Sequence, residues 1–459
     1  MSVRVQVPPE VLNPDLMIGI FCFKDNTRII SLFYNNLILL SFIFTIVKKI
    51  STKITILGAG PGGATTALFL AKAGIPCLLI EKETFPRDKV CGDALSAKCV
   101  DMLRKIDPAM LDDFINLDIQ VESAGINFIA PSLEVLKLSF GINTGNKNTI
   151  AGFISKRVHF DQFLINYVKQ KPTIELIENC GIKEILKLEN GWILKSSEYE
   201  VETELLIDAS GANSPFARHH AGIEKEDMHY SAGLRAYYKN VKGMDKENYI
   251  ELHFLKEFLP GYFWIFPLPN GEANVGVGVR SDVVKKSKMN LKKEMLELIQ
   301  AHPAFKNRFA EAELIGDIKG FGLPLGSKQR PLSGNRYMLV GDAASLIDPF
   351  TGEGISNAMI SGMKAAETVI ANIDQPDFNA SSLSIYDKSV YRRLGPELKL
   401  STHFLRALNY PWLFNFVVRK ANKNRTLRET MCCMFESVDL RKKLRNPIFY
   451  FKFLFNSNK

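Results

Sequence analysis

The chain has 459 residues, which is too many for one small core. Hydrophobic residues make up 46% of it and charged residues 23%, and this composition excludes a disordered protein. Its seven cysteines form no C-x-x-C pair and stand beside no histidine cluster. This pattern argues against a zinc site, another bound metal and a disulfide framework. It favours a reducing cytoplasmic setting. The net charge is +9, yet residues 384–459 carry 16 Lys+Arg against 5 Asp+Glu, so the positive excess lies in the C-terminal tail.

The first fifty residues contain one apolar run, Leu37–Val47, which is followed by Lys48 and Lys49. The run is short for a membrane span, and no small-residue cleavage site of a signal peptide follows it. We expect residues 1–51 to form an extension outside the fold, with a membrane anchor as the alternative. In that alternative, the two lysines place the following chain in the cytoplasm. The folded part is expected to start at Lys53.

A glycine-rich turn between two predicted strands comes next. Ile54–Leu57 and Cys77–Ile80 are short apolar runs typical of buried strands, and Thr65–Ala73 is predicted to be a helix. In such a unit, one glycine permits a tight turn, one lets a pyrophosphate approach the backbone, and one lets the helix pack closely on the strand. The turn carries these residues in a G-x-G-x-x-G motif, Gly58, Gly60 and Gly63.

Glu81 ends the second predicted strand. A carboxylate at this place can accept hydrogen bonds from a ribose. Strand, glycine turn, helix, strand and acidic residue together predict an adenine dinucleotide rather than a βαβ unit without a ligand. The motif by itself does not distinguish FAD from NAD.

The stretch FPRDKVCGDAL, residues 85–95, places Cys91 between basic residues and a glycine. Arg87 and Lys89 would favour a thiolate. Taken alone, the stretch leaves four roles open for the cysteine: a nucleophile, a metal ligand, a redox partner, or part of a loop built for another purpose. No histidine base is evident for a nucleophile, and no partner is spaced for a metal ligand.

A second glycine-rich segment follows the predicted strand Tyr337–Val340 and leads into a helix predicted to begin near residue 354. An acidic residue at the end of a strand can hydrogen-bond a ribityl chain. A glycine-rich helix start can direct N–H groups at a pyrimidine carbonyl. The predicted cofactor contacts in this segment are Gly341, Asp342, Pro349, Gly352, Gly354 and Ile355.

This G-D-A…P…G-E-G-I-S arrangement resembles the second FAD motif of flavoproteins of the p-hydroxybenzoate-hydroxylase type. Within that group the chain looks most like the geranylgeranyl reductase family, and the resemblance covers about residues 53–371. It implies FAD as the cofactor and reduction of carbon–carbon double bonds in an isoprenoid lipid. Four further segments are similar to this group or family: the P-R-x-K-x-C-G loop at 86–92, residues 154–164, residues 205–218, and Y-x-W-x-F-P at 262–267.

The resemblance also implies roles for individual residues. Cys91 would lie beside the flavin ring and either protonate the substrate or shape the pocket, and Arg87 or Lys89 would offer positive charge to the cofactor. Arg157, a cation at a predicted helix start that shares an R-x-x-F-D-x-x-L motif with Asp161, would meet the polar edge of the flavin or be a surface cation. Cys91, Tyr262 and Trp264 are the catalytic candidates, although for Tyr262 packing is favoured over donating a proton or orienting a water. Because side chains alternate along a strand, aromatic residues there can line an apolar pocket on one face; the segment offers Tyr262, Phe263, Trp264 and Phe266.

One departure concerns the electron donor. Many aromatic hydroxylases of the group carry Asp-Gly where this chain has Ser210 and Gly211, which puts direct reduction by NADPH in doubt, so NADPH and a ferredoxin-like protein are both candidates. The rival activity is a flavin-dependent monooxygenase or halogenase acting on a hydrophobic or aromatic substrate. The W-x-W-x-I-P segment usual in halogenases is absent from residues 80–130. A non-catalytic FAD-binding protein is the third alternative.

The predicted fold class is α/β, with a Rossmann-type FAD-binding domain, an inserted and mainly antiparallel substrate sheet, and a helical C-terminal tail. The basic tail is interpreted either as a solvated helical face or as a peripheral membrane contact, and its exposed aromatic residues could cap the pocket or dock on lipid. We expect a cytoplasmic protein without a nucleic-acid partner, with membrane association as an alternative, and with a lipid or other hydrophobic small-molecule substrate. The predicted ranges are 52–105, 150–225 and 330–375 for the FAD-binding domain, 110–150 and 226–329 for the substrate domain, and 381–459 for the tail.

Overall fold

The computed structural model describes residues 47–139, 152–374, 378–424 and 427–428. The expectations for residues 1–46 and for the aromatic run at 446–455 lie outside these residues. Along the described chain the strands are β1 (Lys48–Leu57), β2 (Cys77–Ile80), β3 (Ala94–Ser96), β4 (Gln120–Glu122), β5 (Gly125–Ile129), β6 (Val135–Ser139), β7 (Gly152–Ser155), β8 (Ile174–Ile177), β9 (Glu184–Leu188), β10 (Gly191–Lys195), β11 (Tyr199–Asp208), β12 (Tyr230–Lys239), β13 (Ile250–His253), β14 (Gly261–Pro267), β15 (Glu272–Arg280), β16 (Glu313–Pro324), β17 (Ser333–Gly334) and β18 (Tyr337–Leu339). The α-helices are α1 (Pro61–Lys72), α2 (Ala97–Ile106), α3 (Pro108–Ile115), α4 (Arg157–Lys169), α5 (Pro215–His219), α6 (Ser281–Ser287), α7 (Leu291–Ala301), α8 (Ile355–Asn372), α9 (Ala380–Ala407) and α10 (Pro411–Lys423).

The first sheet has the order β17-β18-β11-β1-β2-β8, and its four central pairings, from β18 to β8, are parallel. The hairpin β9–β10 extends it beside β11. Residues Ile54–Leu57 and the whole of β2 are buried, as expected for a parallel sheet covered by helices on both faces. The carboxyl ends of these strands place the glycine turn and Glu81 at one edge of the sheet.

Two element boundaries differ from the prediction. Strand β1 begins at Lys48 rather than Lys53, because its exposed first half pairs with β11 and therefore lacks a run of apolar residues. Helix α1 begins at Pro61 rather than Thr65. Proline suits the first position of a helix, where its missing N–H would have no partner in any case.

The second sheet has seven strands in the order β16-β12-β15-β14-β13-β5-β6, and every pairing except β13–β5 is antiparallel. One face buries Phe263 and Ile265 among Val275, Val277 and helix α7. The other face places Trp264 and Phe266 in one core with Ile154, Phe350 and Phe414. The predicted α/β class, with an inserted and mainly antiparallel sheet and a helical C-terminal region, is confirmed.

A third sheet, β3-β7-β4, has three short strands that sequence patterns did not indicate. It lies between the Cys91 loop and the start of α4, because β3 follows that loop and β7 leads to Arg157. At the C-terminal end, α9 runs for 28 residues and α10 packs Phe414 and Val418 into the core. Among the described residues, none of the helices combines the length and apolarity that crossing a membrane requires.

Candidate active site

The first glycine turn is shaped for close backbone approach. Gly58 has φ +99°, and a Cβ there would lie 2.6 Å from the Ala209 carbonyl oxygen. A Cβ at Gly63 would lie 1.8 Å from the Gly58 carbonyl oxygen, which explains why the third glycine of the motif has no side chain. Gly60 caps α1 without any side-chain bond to the first N–H groups, so these remain directed at the space before the helix.

Glu81 is buried beside this turn. Its carboxylate accepts hydrogen bonds from the Ala59 N–H at 3.0 Å and the Glu83 N–H at 3.2 Å. Arg87 Nη2 lies 3.3 Å from the same carboxylate. The predicted ribose partner thus stands at the glycine turn and is already held by the backbone.

Arg87 and Arg157 share one buried carboxylate. Arg157 donates to Asp161 through Nε at 2.6 Å and Nη2 at 2.7 Å, and Arg87 Nη1 lies 2.8 Å from Asp161. Burial raises the pKa of Asp161, but Arg157 and Arg87 outweigh that effect and hold the pKa below its usual value. Arg157 is buried, not a surface cation, and its guanidinium also contacts the Cys91 thiol. Asp161 was predicted only as a motif position.

The second glycine segment forms the opposite wall. Asp342 Oδ2 lies 3.3 Å from Lys89 Nζ, which joins this segment to the Cys91 loop. Gly354 caps α8 without a side-chain bond, so a second helix start has free N–H groups. The remaining predicted contacts also lie in or beside this wall: Gly341 at φ +63°, Gly352 at φ +73°, buried Pro349, and Ile355 as the first residue of α8.

A cavity of about 120 Å³ lies between these walls. Its lining comes from the Cys91 loop, the small third sheet, strand β14 and the second glycine segment. Tyr262, Trp264 and Phe266 face the cavity, whereas Phe263 is on the opposite face of the sheet. This arrangement follows the alternation expected of a strand, in which one face lines an apolar pocket and the other face packs the Phe263 ring into the core.

The candidate catalytic residues converge on this cavity. Tyr262 donates from its hydroxyl to the Thr351 carbonyl oxygen at 2.6 Å, and burial raises its pKa above the usual value. Trp264 donates from Nε1 to Asn274 Oδ1 at 2.8 Å. Cys91 lines the same cavity, and burial raises its pKa although Arg157 opposes that shift. The cysteine is therefore a thiol at neutral pH.

Several residues of the site were not predicted. Asp93 and Asn274 are buried against Cys91, and Glu353 lines the cavity next to buried Lys98. Glu353 was visible within the G-E-G motif and Asp93 within the C-G-D stretch, but neither pattern indicates a partner. Lone residues such as Asn274 and Lys98 carry no pattern that could have identified them.

The observed cradle fits FAD. Two uncapped helix starts suit the pyrophosphate and a ring carbonyl, and Glu81 and Asp342 stand where a ribose and a ribityl chain need acceptors. Within the described part of the chain, the only atom close to a Cβ at Gly60 would be Arg87 Nη2 at 3.8 Å, so that approach is open. Among the described residues, no cluster of His, Cys, Asp and Glu is suited to a metal ion.

Family comparisons agree with this geometry. The model described as an FAD binding domain matches residues 51–146, and the geranylgeranyl reductase catalytic domain matches residues 230–316. Digeranylgeranylglycerophospholipid reductase 2 of Methanococcoides burtonii is 30% identical over 363 residues, which cover 76% of this chain and 82% of the relative.

Solved structures share the fold. A geranylgeranyl bacteriochlorophyll reductase-like protein from Thermoplasma acidophilum is 23% identical with a TM-score of 0.69, covering 89% of this chain and 97% of that one. The flavin-dependent brominase Bmp2 is 22% identical with a TM-score of 0.66, covering 87% and 99%. Both likenesses concern architecture alone, whereas the sequence relative and the two domain matches confirm the cofactor and the expected family. The chain therefore belongs to the geranylgeranyl reductase family and is an FAD-dependent oxidoreductase.

Proposed function

We propose that this protein reduces carbon–carbon double bonds of an isoprenoid lipid. The observation that carries the proposal is the aromatic cavity beside the two FAD segments, walled by Tyr262, Trp264 and Phe266. An unactivated alkene needs a dry, apolar site and a proton donor for one carbon, while the flavin supplies the hydride to the other. The M. burtonii relative is named a digeranylgeranylglycerophospholipid reductase, and this supports the same substrate class.

For the site we propose two groups of residues. Cys91, Tyr262 and Trp264 act at the cavity, with the Cys91 thiol as the proton donor and Trp264 as the wall that orients the lipid chain. Tyr262 is better suited to hold the Thr351 loop, since its hydroxyl is engaged there. For FAD we propose Gly58, Gly60, Gly63, Glu81, Arg87, Arg157, Gly341, Asp342, Pro349, Gly352, Gly354 and Ile355.

We also infer a division of labour along the chain. Residues 52–105, 150–225 and 330–375 hold FAD, and 110–150 and 226–329 hold the substrate. In support, the parallel sheet draws its strands from the first group and the seven-stranded sheet draws its strands from the second.

The substrate test is an end-point assay under nitrogen. Purified holoprotein is reduced with dithionite, given a geranylgeranyl lipid, and the lipid is analysed by mass spectrometry. We expect each reduced bond to add two hydrogens, and Cys91→Ser to lower the yield while the flavin stays bound. If the lipid changes only when air is admitted, and then gains oxygen or halogen, the monooxygenase or halogenase alternative replaces the reductase.

For membrane contact, we propose that α10 docks on an anionic lipid surface. Its outward face exposes Trp412 at 69% and Phe416 at 51%, while Phe414 and Val418 are buried on the inner face. Arg419, Lys420 and Lys423 are exposed beside the aromatic residues. Such a basic, aromatic helix binds the interface through apolar burial and attraction to anionic headgroups.

The electron donor, NADPH or a ferredoxin-like protein, stays a prediction.

Vesicle sedimentation tests this contact. Replacing one interfacial aromatic residue removes about 2 kcal/mol of binding free energy from the burial of its apolar surface in the membrane. Trp412→Ser should therefore weaken binding to anionic vesicles at least about tenfold. The matched control is Met228→Ser, because Met228 is 62% exposed but lies elsewhere, and this variant should bind normally. Equal sedimentation of both variants with wild type would remove α10 as the docking surface.

A further inference from the structure

Asn274 joins three parts of the candidate active site. It lies on β15 and its side chain is inaccessible to solvent. Its Oδ1 accepts from Trp264 Nε1 at 2.8 Å, and its Nδ2 donates to the Cys91 carbonyl oxygen and to Asp93 Oδ2, each at 2.8 Å. One amide therefore uses both of its ends to connect the aromatic strand of one sheet with the cysteine loop that follows the other sheet.

Asp93 is the second member of this network and is also fully buried. Its Oδ2 accepts from the Tyr237 hydroxyl at 2.8 Å, and its Oδ1 accepts from the Arg157 backbone N–H at 3.2 Å. Its φ of +68° is a conformation that few residues other than glycine, aspartate and asparagine adopt. Asp93 thus lies two residues after Cys91, in a left-handed backbone conformation that aspartate tolerates.

The next residue after the cysteine shows how tightly the two walls meet. A Cβ at Gly92 would lie 3.0 Å from Phe266 Cε2 and 3.9 Å from Trp264 Nε1. The backbone of the loop therefore packs directly on the aromatic rings. The hydrogen bonds of Asn274 fix the same contact from the side, so loop and strand are held together by packing and by polar bonds.

The charges around the thiol come from three elements. Arg157 of α4, Asp93 of the loop and Tyr262 of β14 face Cys91. Burial raises the pKa of Cys91 above its ordinary value, Arg157 lowers it, and the Asp93 carboxylate raises it.

Asp93 itself is faced by Tyr237, Asn274, Arg235, Arg157 and Cys91. Burial raises its pKa to about 6, against the hydrogen bonds from Tyr237 and Asn274. Above that pH the loop carries a buried carboxylate close to the sulfur, and this carboxylate opposes the formation of a second negative charge.

We propose that Asp93 and Asn274 are positioning residues that hold Cys91 against Trp264 and keep its sulfur protonated at the cavity wall. The assignment rests on the proposed function, in which Cys91 and Trp264 act at the cavity. Neither residue needs to touch the lipid or the flavin. Asn274 sets where the loop lies, and Asp93 sets the charge beside the thiol.

Alkylation of Cys91 by iodoacetamide, measured from pH 5 to 10 on full-length holoprotein without lipid, tests the role of Asp93. Asparagine keeps the positive φ but removes the charge, so in Asp93→Asn the midpoint of the Cys91 profile should move about one pH unit lower. Mass spectrometry of the peptide that contains Cys91 isolates its signal, and Cys91→Ser identifies it. A midpoint within about 0.3 pH unit of wild type would overturn the role of Asp93.

Asn274→Leu tests the other residue in the same measurement. Leucine has a similar size but cannot bond to Cys91, Asp93 or Trp264, so the freed loop should let the thiolate react at least about fivefold faster at high pH. The control is Asn127→Leu. Asn127 lies on β5 of the same sheet, but its side chain does not line the cavity beside Trp264. If Asn274→Leu does not fold, Asn274→Ser replaces it.

A rate within about twofold of wild type in the folded variant would overturn the role of Asn274. Because this assay contains no lipid, it stays informative if the lipid reduction fails. A protein that reduces lipid but shows unchanged alkylation profiles would keep the proposed function and lose the positioning network.

Discussion

Gly60→Val is expected to give a folded protein without the yellow colour of bound flavin. Gly60 is the motif position whose missing side chain leaves open space: the nearest atom to a Cβ there is Arg87 Nη2, at 3.8 Å. A valine therefore fits the protein but occupies the approach to the helix start that a pyrophosphate needs. Flavin absorbance per mole of protein, together with circular dichroism of the same sample, measures cofactor loss and folding separately.

The choice of glycine decides what this experiment tests. Gly63 is unsuitable, because a Cβ only 1.8 Å from the Gly58 carbonyl oxygen would disturb the turn itself. Gly181→Val is the matched control, since a Cβ at this exposed glycine meets no atom within 4 Å. The control should keep its colour. A Gly60→Val protein with a normal flavin spectrum would contradict the assignment of the phosphate-binding turn.

Lys98→Met is expected to cost about 3–5 kcal/mol of stability, because it removes the buried cation between Glu353 and Glu397 and leaves Glu397 with Arg393 as its ion-pair partner. Lys98 is 4% exposed and its Nζ lies 2.8 Å from Glu397 and 3.3 Å from Glu353. Burial lowers the pKa of Lys98, but Glu353 and Glu397 outweigh it, so the pKa lies above the usual value and the amine stays charged. Glu353 belongs to the second glycine segment and Glu397 to α9, so the ion group ties α9 to the candidate cofactor site.

Urea unfolding of the holoprotein measures this loss. Lys364→Met is the control, because the Lys364–Glu367 pair is solvent-accessible and such pairs contribute about 0–1 kcal/mol. Lys98→Met combined with Glu353→Gln should recover part of the stability, since the side chain that lost its cation is then neutral, whereas Glu397 keeps Arg393. A loss below about 1 kcal/mol for Lys98→Met alone would show that water reaches the carboxylates and that the group is not buried in solution.

Local patterns explain how much of the fold could be predicted. The strand Cys77–Ile80, the start of α4 at Arg157 and the alternation along β14 all follow from short runs of neighbouring residues, and the structure places them as expected. The missed parts depend on distant pairing. The first half of β1 has no apolar run and is a strand only because β11 pairs with it, and the strands of the third sheet are too short to carry a period.

The candidate site divides in the same way. Glycines and strand-end acids are recognisable because their spacing along the chain reflects a turn. The buried polar pairs in and beside the site join single residues that are far apart in sequence: Asp93 and Asn274 are separated by 181 positions, and Lys98 and Glu397 by 299. Arg157 illustrates the limit, since the sequence indicated a cation at a helix start but not that Asp161 and Cys91 would surround it.

The central claim is that the cavity between the two FAD segments and β14 is where an isoprenoid double bond is reduced. Single-turnover reoxidation of the enzyme-bound reduced flavin under nitrogen tests it most directly. The account predicts that a geranylgeranyl lipid restores the oxidised flavin spectrum without oxygen, that a saturated lipid of the same length does not, and that a cavity-filling Leu252→Trp slows the reaction with the flavin still bound. A flavin that stays reduced with either lipid until air is admitted would contradict it.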